Sequence, residues 1–216
     1  MSTVWTFGDS YTEGYNPNYE WSKKYINWKG YHPKVHGDFI SEMLNYELKN
    51  LGMGGSDNYT IFETFCKNVN EIKVGDIVVI GWSDVGRFRL SNRNGYWSSF
   101  IPKFSNVSSY TEYISENTIN EILVNRTAKI YVDEVNNWIN LIKKSLDGIK
   151  LVNWSIFNEG KINGVFIHNM IIETIIKETK GEVADGHFSE NGQMKLAEII
   201  VNVINNMGNN INQKLI

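Results

Sequence analysis

The sequence predicts an α/β fold, in which helices cover both faces of a mostly parallel sheet. Short apolar runs alternate along the chain with longer segments whose apolar residues recur at helical spacing. One run, Asp76–Ile80, is largely β-branched, as expected of a strand that is buried on both faces. Three runs end in small or polar residues, at the position where parallel strands usually carry their chemistry.

Strand and helix patterns alternate in the first half of the chain. Val4–Phe7 is a short apolar run and predicts the first strand. Lys34–Tyr46 repeats apolar residues at helical spacing and predicts a helix, and Glu47–Met53 predicts a second strand that ends among glycines. A further helix follows, with Ser56 or Asp57 as its cap.

The second half of the chain continues this alternation after a long interruption. The run Asp76–Ile80 predicts the third strand, which stops at Gly81–Asp84. The stretch Val85–Asn117 is rich in Ser, Asn and aromatic residues and predicts a functional loop insertion, since so long a loop is unusual in a compact domain. The remaining predictions are helices at Ile119–Leu146, Phe166–Lys177 and Glu190–Ile204 and a strand at Lys150–Ile156.

Composition narrows the class of function. The 216 residues are 42% hydrophobic without a linker-like stretch, which predicts one domain over residues 1–216 with an insertion at about 85–117. The net charge of −3 and the scattered basic residues argue against nucleic acid and favour a small or neutral ligand. No apolar run approaches a membrane span and no signal segment is evident, so we expect a soluble, cytoplasmic protein. The single cysteine, Cys66, excludes an internal disulfide and is expected in the core.

Ser10 is the candidate nucleophile. It lies in the segment Phe7–Gly14, directly after the first strand, where Gly8 allows the sharp turn that would expose the next side chains. The spacing from Ser10 to Glu13 also fits a helix capping box, in which the serine only binds a backbone amide. Both interpretations remain open on these residues alone.

His187 is the candidate base and Asp185 the acid that would orient it. A serine hydroxyl is a weak nucleophile and needs a base within hydrogen-bond reach, which a carboxylate commonly holds in one tautomer. Both residues precede the last predicted helix, and Ser189 is placed to cap that helix. The other histidines, for which we expect core or surface roles, are His32, His36 and His168.

The glycine-rich turn Asn50–Ser56 is a candidate for part of an oxyanion hole. Acyl transfer needs donors aimed at the negative charge that develops on the carbonyl oxygen. The amide of Gly55 is suited to this, because the missing side chains permit close approach. The alternative interpretation is an ordinary tight turn between a strand and a helix.

Four separated blocks resemble those of the SGNH hydrolases, the GDSL esterase/lipase superfamily. The segment Phe7–Gly14 resembles the first block, and Gly55 stands where the family has the glycine of its second block. Gly81–Asp84 corresponds to the third block, with Ser83 in place of the usual asparagine. Asp185–Ser189 resembles the closing block, with one residue fewer between acid and base.

The resemblance implies a three-layer α/β/α sandwich with a flavodoxin-like sheet, and an esterase that needs neither a metal nor an organic cofactor. Ser10, His187 and Asp185 would be catalytic. The amides of Ser10 and Gly55, with the Ser83 hydroxyl, would form the oxyanion hole. Arg87 or Asn92 could take the donor position if the loop folds back.

The ester that such an enzyme would cleave is not specified by the resemblance. Polar and aromatic residues of the insertion favour a small-molecule or glycan ester, with an O-acetylated carbohydrate as the first candidate, although aromatic side chains commonly pack a loop onto the core. These aromatic residues are Tyr96, Trp97, Phe100, Phe104 and Tyr110. An O-acyltransferase and a catalytically silent carbohydrate-binding module remain as alternatives. The oligomeric state is open.

Overall fold

The computed structural model describes residues 1–15, 18, 20–31, 33–85, 87–91, 97–100, 115, 117–118, 121, 128–155, 162 and 187–209. Its strands are β1 (Thr3–Phe7), β2 (Glu47–Asn50), β3 (Ile77–Trp82), β4 (Phe88–Ser91), β5 (Trp97–Phe100) and β6 (Lys150–Ser155). Its helices are α1 (Glu20–Lys29), α2 (His36–Leu44), α3 (Asn58–Asn68), α4 (Ala128–Ser145) and α5 (Glu190–Asn209), with a short 3₁₀ turn at Val69–Glu71.

Four parallel strands form the central sheet, in the order β2-β1-β3-β6. Counting only these strands along the chain, the order is 2-1-3-4, which is the flavodoxin-like arrangement. The predicted α/β class and the parallel sheet are therefore confirmed. In such a sheet the second strand lies on one side of the first strand and the third strand lies on the other side. Ligands bind at this switch point, beyond the carboxyl ends of the strands.

Two apolar clusters lie on opposite faces of the sheet. Alternate side chains of β1 and β3 enter each cluster, as the two-residue period of a strand requires. One cluster packs against α3 and α4 and includes Phe7, Ile80 and Ile139. The other packs against α2 and α5 and includes Val79 and Leu196. Helices on both faces complete the predicted three-layer sandwich.

The Asp76 carboxylate links β1 to the turn before β3 at the amino-terminal edge of the sheet. The candidate site lies at the opposite edge. Its carboxylate accepts hydrogen bonds from the Thr3 amide at 2.8 Å, the Trp5 indole at 3.0 Å and the Lys73 amide at 3.0 Å. Burial opposes ionisation of this carboxyl, but the three donors outweigh it and lower the pKa of Asp76. The bonds join β1 to the turn that precedes β3.

Several local predictions differ from the structure. The segment predicted as a loop insertion contains an antiparallel hairpin, in which Phe88 pairs with Phe100. Helix α1 was not predicted, because its sequence is mixed polar and aromatic without a clear apolar face. Cys66 is exposed, since the buried side of α3 is formed by its neighbour Phe65. The predicted helix Phe166–Lys177 lies outside the described residues.

The helix capping interpretation of Ser10 is wrong. No helix begins at Ser10 in the described residues 10–15, and α1 starts only at Glu20. The cap predicted for α3 is Asp57, whose carboxylate accepts a hydrogen bond from the Thr60 amide at 2.7 Å. None of the helices described here is long and apolar enough to cross a membrane.

Candidate active site

A tight turn at the end of β1 presents Ser10. The carbonyl of Asp9 accepts hydrogen bonds from the Thr12 amide at 2.9 Å and the Glu13 amide at 3.0 Å. A side chain at Gly8 would collide with the side chain of Thr12, so only glycine fits there. The turn leaves Ser10 half-buried at the carboxyl edge of the sheet.

The structure brings His187 onto Ser10, although 177 residues separate them in sequence. The Nε2 atom of His187 lies 2.8 Å from Ser10 Oγ, within hydrogen-bond distance. The Ser189 hydroxyl accepts a hydrogen bond from the Gly192 amide at 3.0 Å, as expected of a cap at the start of α5. The candidate nucleophile and the candidate base are thus within hydrogen-bond distance of each other at the carboxyl edge of the sheet.

The third member of the predicted triad, Asp185, lies outside the described residues. Its role stays a prediction. A different carboxyl of the site, Asp9, is buried, and burial raises its pKa. The Tyr11 amide, the Ser83 hydroxyl and electrostatic interactions with Arg87 and His187 act in the opposite direction. Asp9 is therefore within electrostatic reach of His187.

The glycine-rich turn after β2 is hydrogen-bonded directly to the turn at residues 8–13, which carries Ser10 and is called the nucleophile turn below. The Asn50 side-chain amide donates a hydrogen bond to the Thr12 carbonyl at 2.8 Å, and its oxygen accepts one from the Gly52 amide at 2.9 Å. The Met53 amide donates to the Gly8 carbonyl at 3.0 Å. These bonds fix the two turns relative to each other before any substrate binds, which is what an oxyanion hole requires.

Gly54 lies nearest to the nucleophile within this turn. A Cβ atom at Gly54 would lie 2.7 Å from Glu13 Oε2 and 3.8 Å from Ser10 Cβ. Burial raises the pKa of the Glu13 carboxyl, and a hydrogen bond from the Gly54 amide and an electrostatic interaction with His187 oppose that rise. Gly55 has φ of +77° and no heavy atom within 4 Å of an added Cβ. The oxyanion role assigned to Gly55 stays a prediction.

Ser83, which stands in place of the family's asparagine, is completely buried. Its amide donates a hydrogen bond to Asn58 Oδ1 at 2.7 Å, and Asn58 Nδ2 donates to the Ser83 carbonyl at 3.0 Å. The Ser83 hydroxyl lies close enough to Asp9 to lower the pKa of that carboxyl. Its predicted role as oxyanion donor is untested by these contacts. Arg87 interacts electrostatically with Asp9, and Asn92 lies outside the described residues.

His36 is buried behind the site, as expected of a core histidine. Its Nδ1 lies 2.9 Å from Gln193 Oε1, and its ring meets the Trp154 ring edge-on with 5.2 Å between centroids. Burial lowers the pKa of His36 from 6.5 to about 4, so the ring is neutral near pH 7. The other two histidines, His32 and His168, lie outside the described residues.

Sequence reasoning missed three residues that contact the site. Tyr11 lies inside the nucleophile block, and its position next to Ser10 was the available signal. Asn58 follows the helix cap and could not be separated from ordinary polar residues at a helix start. Gln193 lies on α5, and no pattern in the sequence pairs it with a residue near the amino terminus.

Comparisons with solved structures support the fold. The chain superimposes on protein YxiM from Bacillus subtilis with a TM-score of 0.51 and 14% identity, over 96% of this chain and 57% of that one. The chain thus spans just over half of that protein's length. At this identity the likeness shows a shared fold and nothing about activity. No protein-family model matches the chain, and a search of curated proteins finds no match.

Two weaker likenesses carry lipase-like descriptions. A candidate lipolytic protein of the G-D-S-L family from Desulfitobacterium hafniense DCB-2 aligns with a TM-score of 0.37 and 13% identity, over 92% of this chain and 97% of that one. A candidate GDSL-like lipase from Parabacteroides merdae ATCC 43184 aligns with a TM-score of 0.41 and 12% identity, over 91% and 92% of the two chains. At these TM-scores neither likeness bears on the function of this chain.

Proposed function

We propose that this protein is a serine ester hydrolase that acts through an acyl-enzyme intermediate. The observation that carries the proposal is the 2.8 Å distance between Ser10 Oγ and His187 Nε2 at the carboxyl edge of a parallel sheet. A serine becomes a useful nucleophile when a base can take its proton as it attacks. A merely structural serine would not need an imidazole at that distance.

The proposed reaction has two halves. His187 Nε2 takes the proton of Ser10 as Oγ forms a bond to the ester carbonyl carbon, and the carbonyl oxygen becomes an oxyanion. The C–O bond to the alcohol then breaks, and His187 returns the proton to the departing alkoxide. In the second half, water gives a proton to His187 Nε2 as its oxygen forms a bond to the acyl carbon. The bond between that carbon and Ser10 Oγ then breaks, His187 returns the proton to Oγ, and the acid is released.

We assign the supporting roles as the family resemblance implies. Asp185 would accept a hydrogen bond from the Nδ1–H group of His187 and so hold the tautomer that leaves Nε2 free to act as base. The amides of Ser10 and Gly55 and the hydroxyl of Ser83 would bind the oxyanion. The bonded contact between the nucleophile turn and the glycine turn supports a preorganised hole, because neither turn needs to move when charge develops.

The first substrate class to test is an O-acetylated carbohydrate. The proposal is motivated by the polar and aromatic composition of residues 85–117, since aromatic rings stack on sugar faces. Trp97 and Phe100 belong to β5 and Phe88 to β4, whereas Tyr96, Phe104 and Tyr110 lie outside the described part of the chain. An acyltransferase would use the same serine and histidine, with a sugar hydroxyl in place of water.

Turnover of p-nitrophenyl acetate, with longer acyl chains beside it, tests the proposal. Ser10→Ala is expected to abolish release of p-nitrophenol, whereas Ser145→Ala should leave it unchanged. Ser145 is a suitable control because its helix, α4, ends just before β6 begins, at the edge of the sheet opposite Ser10. Undiminished turnover by Ser10→Ala would refute the proposed nucleophile.

An added sugar acceptor and a glycan-binding measurement separate the esterase from the acyltransferase and from the silent binding module. Transfer of acetyl to an added sugar, at the expense of free acetate, would indicate an acyltransferase. Glycan binding without any serine-dependent turnover would indicate a silent module.

Asp185→Asn is expected to lower kcat less than His187→Ala, because the spacing between acid and base is shorter than in the family. Equal losses would support a full triad instead.

A further inference from the structure

One glutamine on α5 joins the helix that follows His187 to the backbone next to Ser10. The Nε2 atom of Gln193 donates a hydrogen bond to the Tyr11 carbonyl at 2.9 Å, across 182 residues of sequence. Its Oε1 atom accepts a hydrogen bond from the His36 amide at 2.9 Å. Gln193 is only 5% exposed. Its side-chain amide therefore binds two separate parts of the chain inside the protein.

The three contacts fix the orientation of this amide. Only the oxygen of Gln193 can accept from the His36 amide, so the nitrogen must face the Tyr11 carbonyl. His36 Nδ1 lies 2.9 Å from the same oxygen and must therefore carry the ring proton. Reversing the amide would break all three contacts, so the donor to Tyr11 is held in place by His36.

Tyr11 is hydrogen-bonded through both its amide and its carbonyl, and its ring packs on the ring of the candidate base, His187. Its amide donates a hydrogen bond to Asp9 Oδ1 at 3.1 Å, while its carbonyl accepts from Gln193. The ring of Tyr11 lies against the His187 ring with 4.7 Å between centroids and meets Phe188 edge-on at 5.2 Å. The residue that follows the nucleophile is thus also the residue that packs on the imidazole.

We infer that Gln193 is a positioning residue for catalysis, which acts by holding Tyr11 and thereby the Ser10–His187 pair. The inference rests on the proposed function, because it concerns the same site. Misplacing a reacting group by about 1 Å can cost on the order of 10²-fold in rate. A link between α5 and the nucleophile turn limits such motion, since the 2.8 Å contact joins two segments that are distant in sequence.

Helix docking alone does not account for this link. Helices α2 and α5 already pack through buried apolar side chains, among them Ile40, Leu196 and Ile200. Burying a side-chain amide costs free energy unless its hydrogen bonds are made, so an apolar residue at position 193 would serve simple docking as well. The bond to the Tyr11 carbonyl reaches past α2 and ends beside the catalytic pair.

Two substitutions of Gln193 test the inference, with a matched control on the same helix. Gln193→Leu and Gln193→Met both remove the donor and the acceptor, and Met keeps the length of the glutamine side chain. The control is Ile204→Ala, which removes a fully buried side chain about 16 Å farther along α5. If Gln193→Leu fails to fold, Gln193→Met carries the test.

Kinetics with p-nitrophenyl acetate are measured below the unfolding temperature of each variant. Both Gln193 variants are expected to lower kcat at least tenfold with KM changed less than about threefold, because Gln193 is buried and acts on the reacting pair. Ile204→Ala should lower the unfolding temperature but keep kcat. Wild-type kcat in a folded Gln193 variant would overturn the inference, as would an equal loss of kcat in Ile204→Ala.

The ring protons of His187, observed by NMR, give a second result that does not depend on turnover. In the wild type these protons are shifted by the ring current of Tyr11, and Gln193→Leu should move them towards the values of a free histidine. Unchanged resonances would overturn the inference. If the wild type shows no esterase activity, the proposed function fails, and the NMR comparison alone decides whether Gln193 holds Tyr11 on His187.

Discussion

His36 should make the protein sensitive to mild acid. The pKa of His36 falls from 6.5 to about 4 on folding, because burial disfavours the charged ring. Below pH 6.5 the unfolded chain therefore binds a proton that the folded protein excludes. The stabilising contribution is fully present above that pH and is lost as the pH falls towards about 4.

The size of this loss follows from the two pKa values. Each factor of ten in proton affinity is worth about 1.4 kcal/mol, so complete acidification removes about 3 kcal/mol of stability through His36. Most of this loss, about 2 kcal/mol, falls between about pH 7.5 and pH 4.5. That is a large fraction of the stability of an ordinary domain, which is about 5–15 kcal/mol.

The matched variant is His36→Asn, whose Nδ2 can occupy the position of the ring Nδ1 and donate to Gln193. Asn does not titrate, so the acid sensitivity should disappear while the hydrogen bond remains. The buried carboxyls Asp9 and Glu13 have raised pKa values, and they add stability as the pH falls. Their effect is common to both proteins and cancels in the comparison.

Urea unfolding at a series of pH values measures the effect. The wild type should lose about 2 kcal/mol more than His36→Asn between about pH 7.5 and pH 4.5, even if the variant is less stable at every pH. Parallel curves for the two proteins would refute the reasoning, because they would show that His36 takes up its proton equally in the folded and unfolded states.

Three further changes test other contacts. Asp76→Ala leaves two buried donors and one part-buried donor without their carboxylate and should cost about 3 kcal/mol in urea unfolding, whereas the exposed Lys73→Ala should cost little; equal midpoints would contradict this. Asn58→Ala removes both partners of the Ser83 backbone and should cost about 2 kcal/mol by the same measurement. Gly8→Ala should lower kcat, because its Cβ would displace Thr12 and the nucleophile turn; unchanged kcat in the folded variant would argue against a fixed turn.

Local patterns predicted the sheet well. The run Asp76–Ile80 was recognisable because a strand covered on both faces has no polar side, and β3 indeed lies at Ile77–Trp82. Helix α1 escaped prediction because its residues show no strong apolar stripe. Cys66 was predicted to lie in the core but is exposed. The buried face of α3 includes Ile61 and Phe65, and Cys66, although next to Phe65 in sequence, lies off that face.

The residues of the candidate site likewise differ in whether local sequence could predict them. Ser10 and His187 could be predicted because their neighbours form compact blocks, and the structure places the two side chains 2.8 Å apart. Gln193 and Asn58 could not be predicted, since each acts through a backbone group far away in sequence. A side-chain amide carries no local signal of its partner, and only the packed fold determines which carbonyl it meets.

The proposed reaction requires that His187 activate Ser10 as a nucleophile. The most direct test is reaction of the intact protein with a fluorophosphonate, followed by peptide mapping by mass spectrometry. We expect a single covalent adduct on Ser10, which is absent from Ser10→Ala and formed far more slowly in His187→Ala. An unmodified Ser10 in the folded wild type, or labelling at the same rate without His187, would contradict the claim.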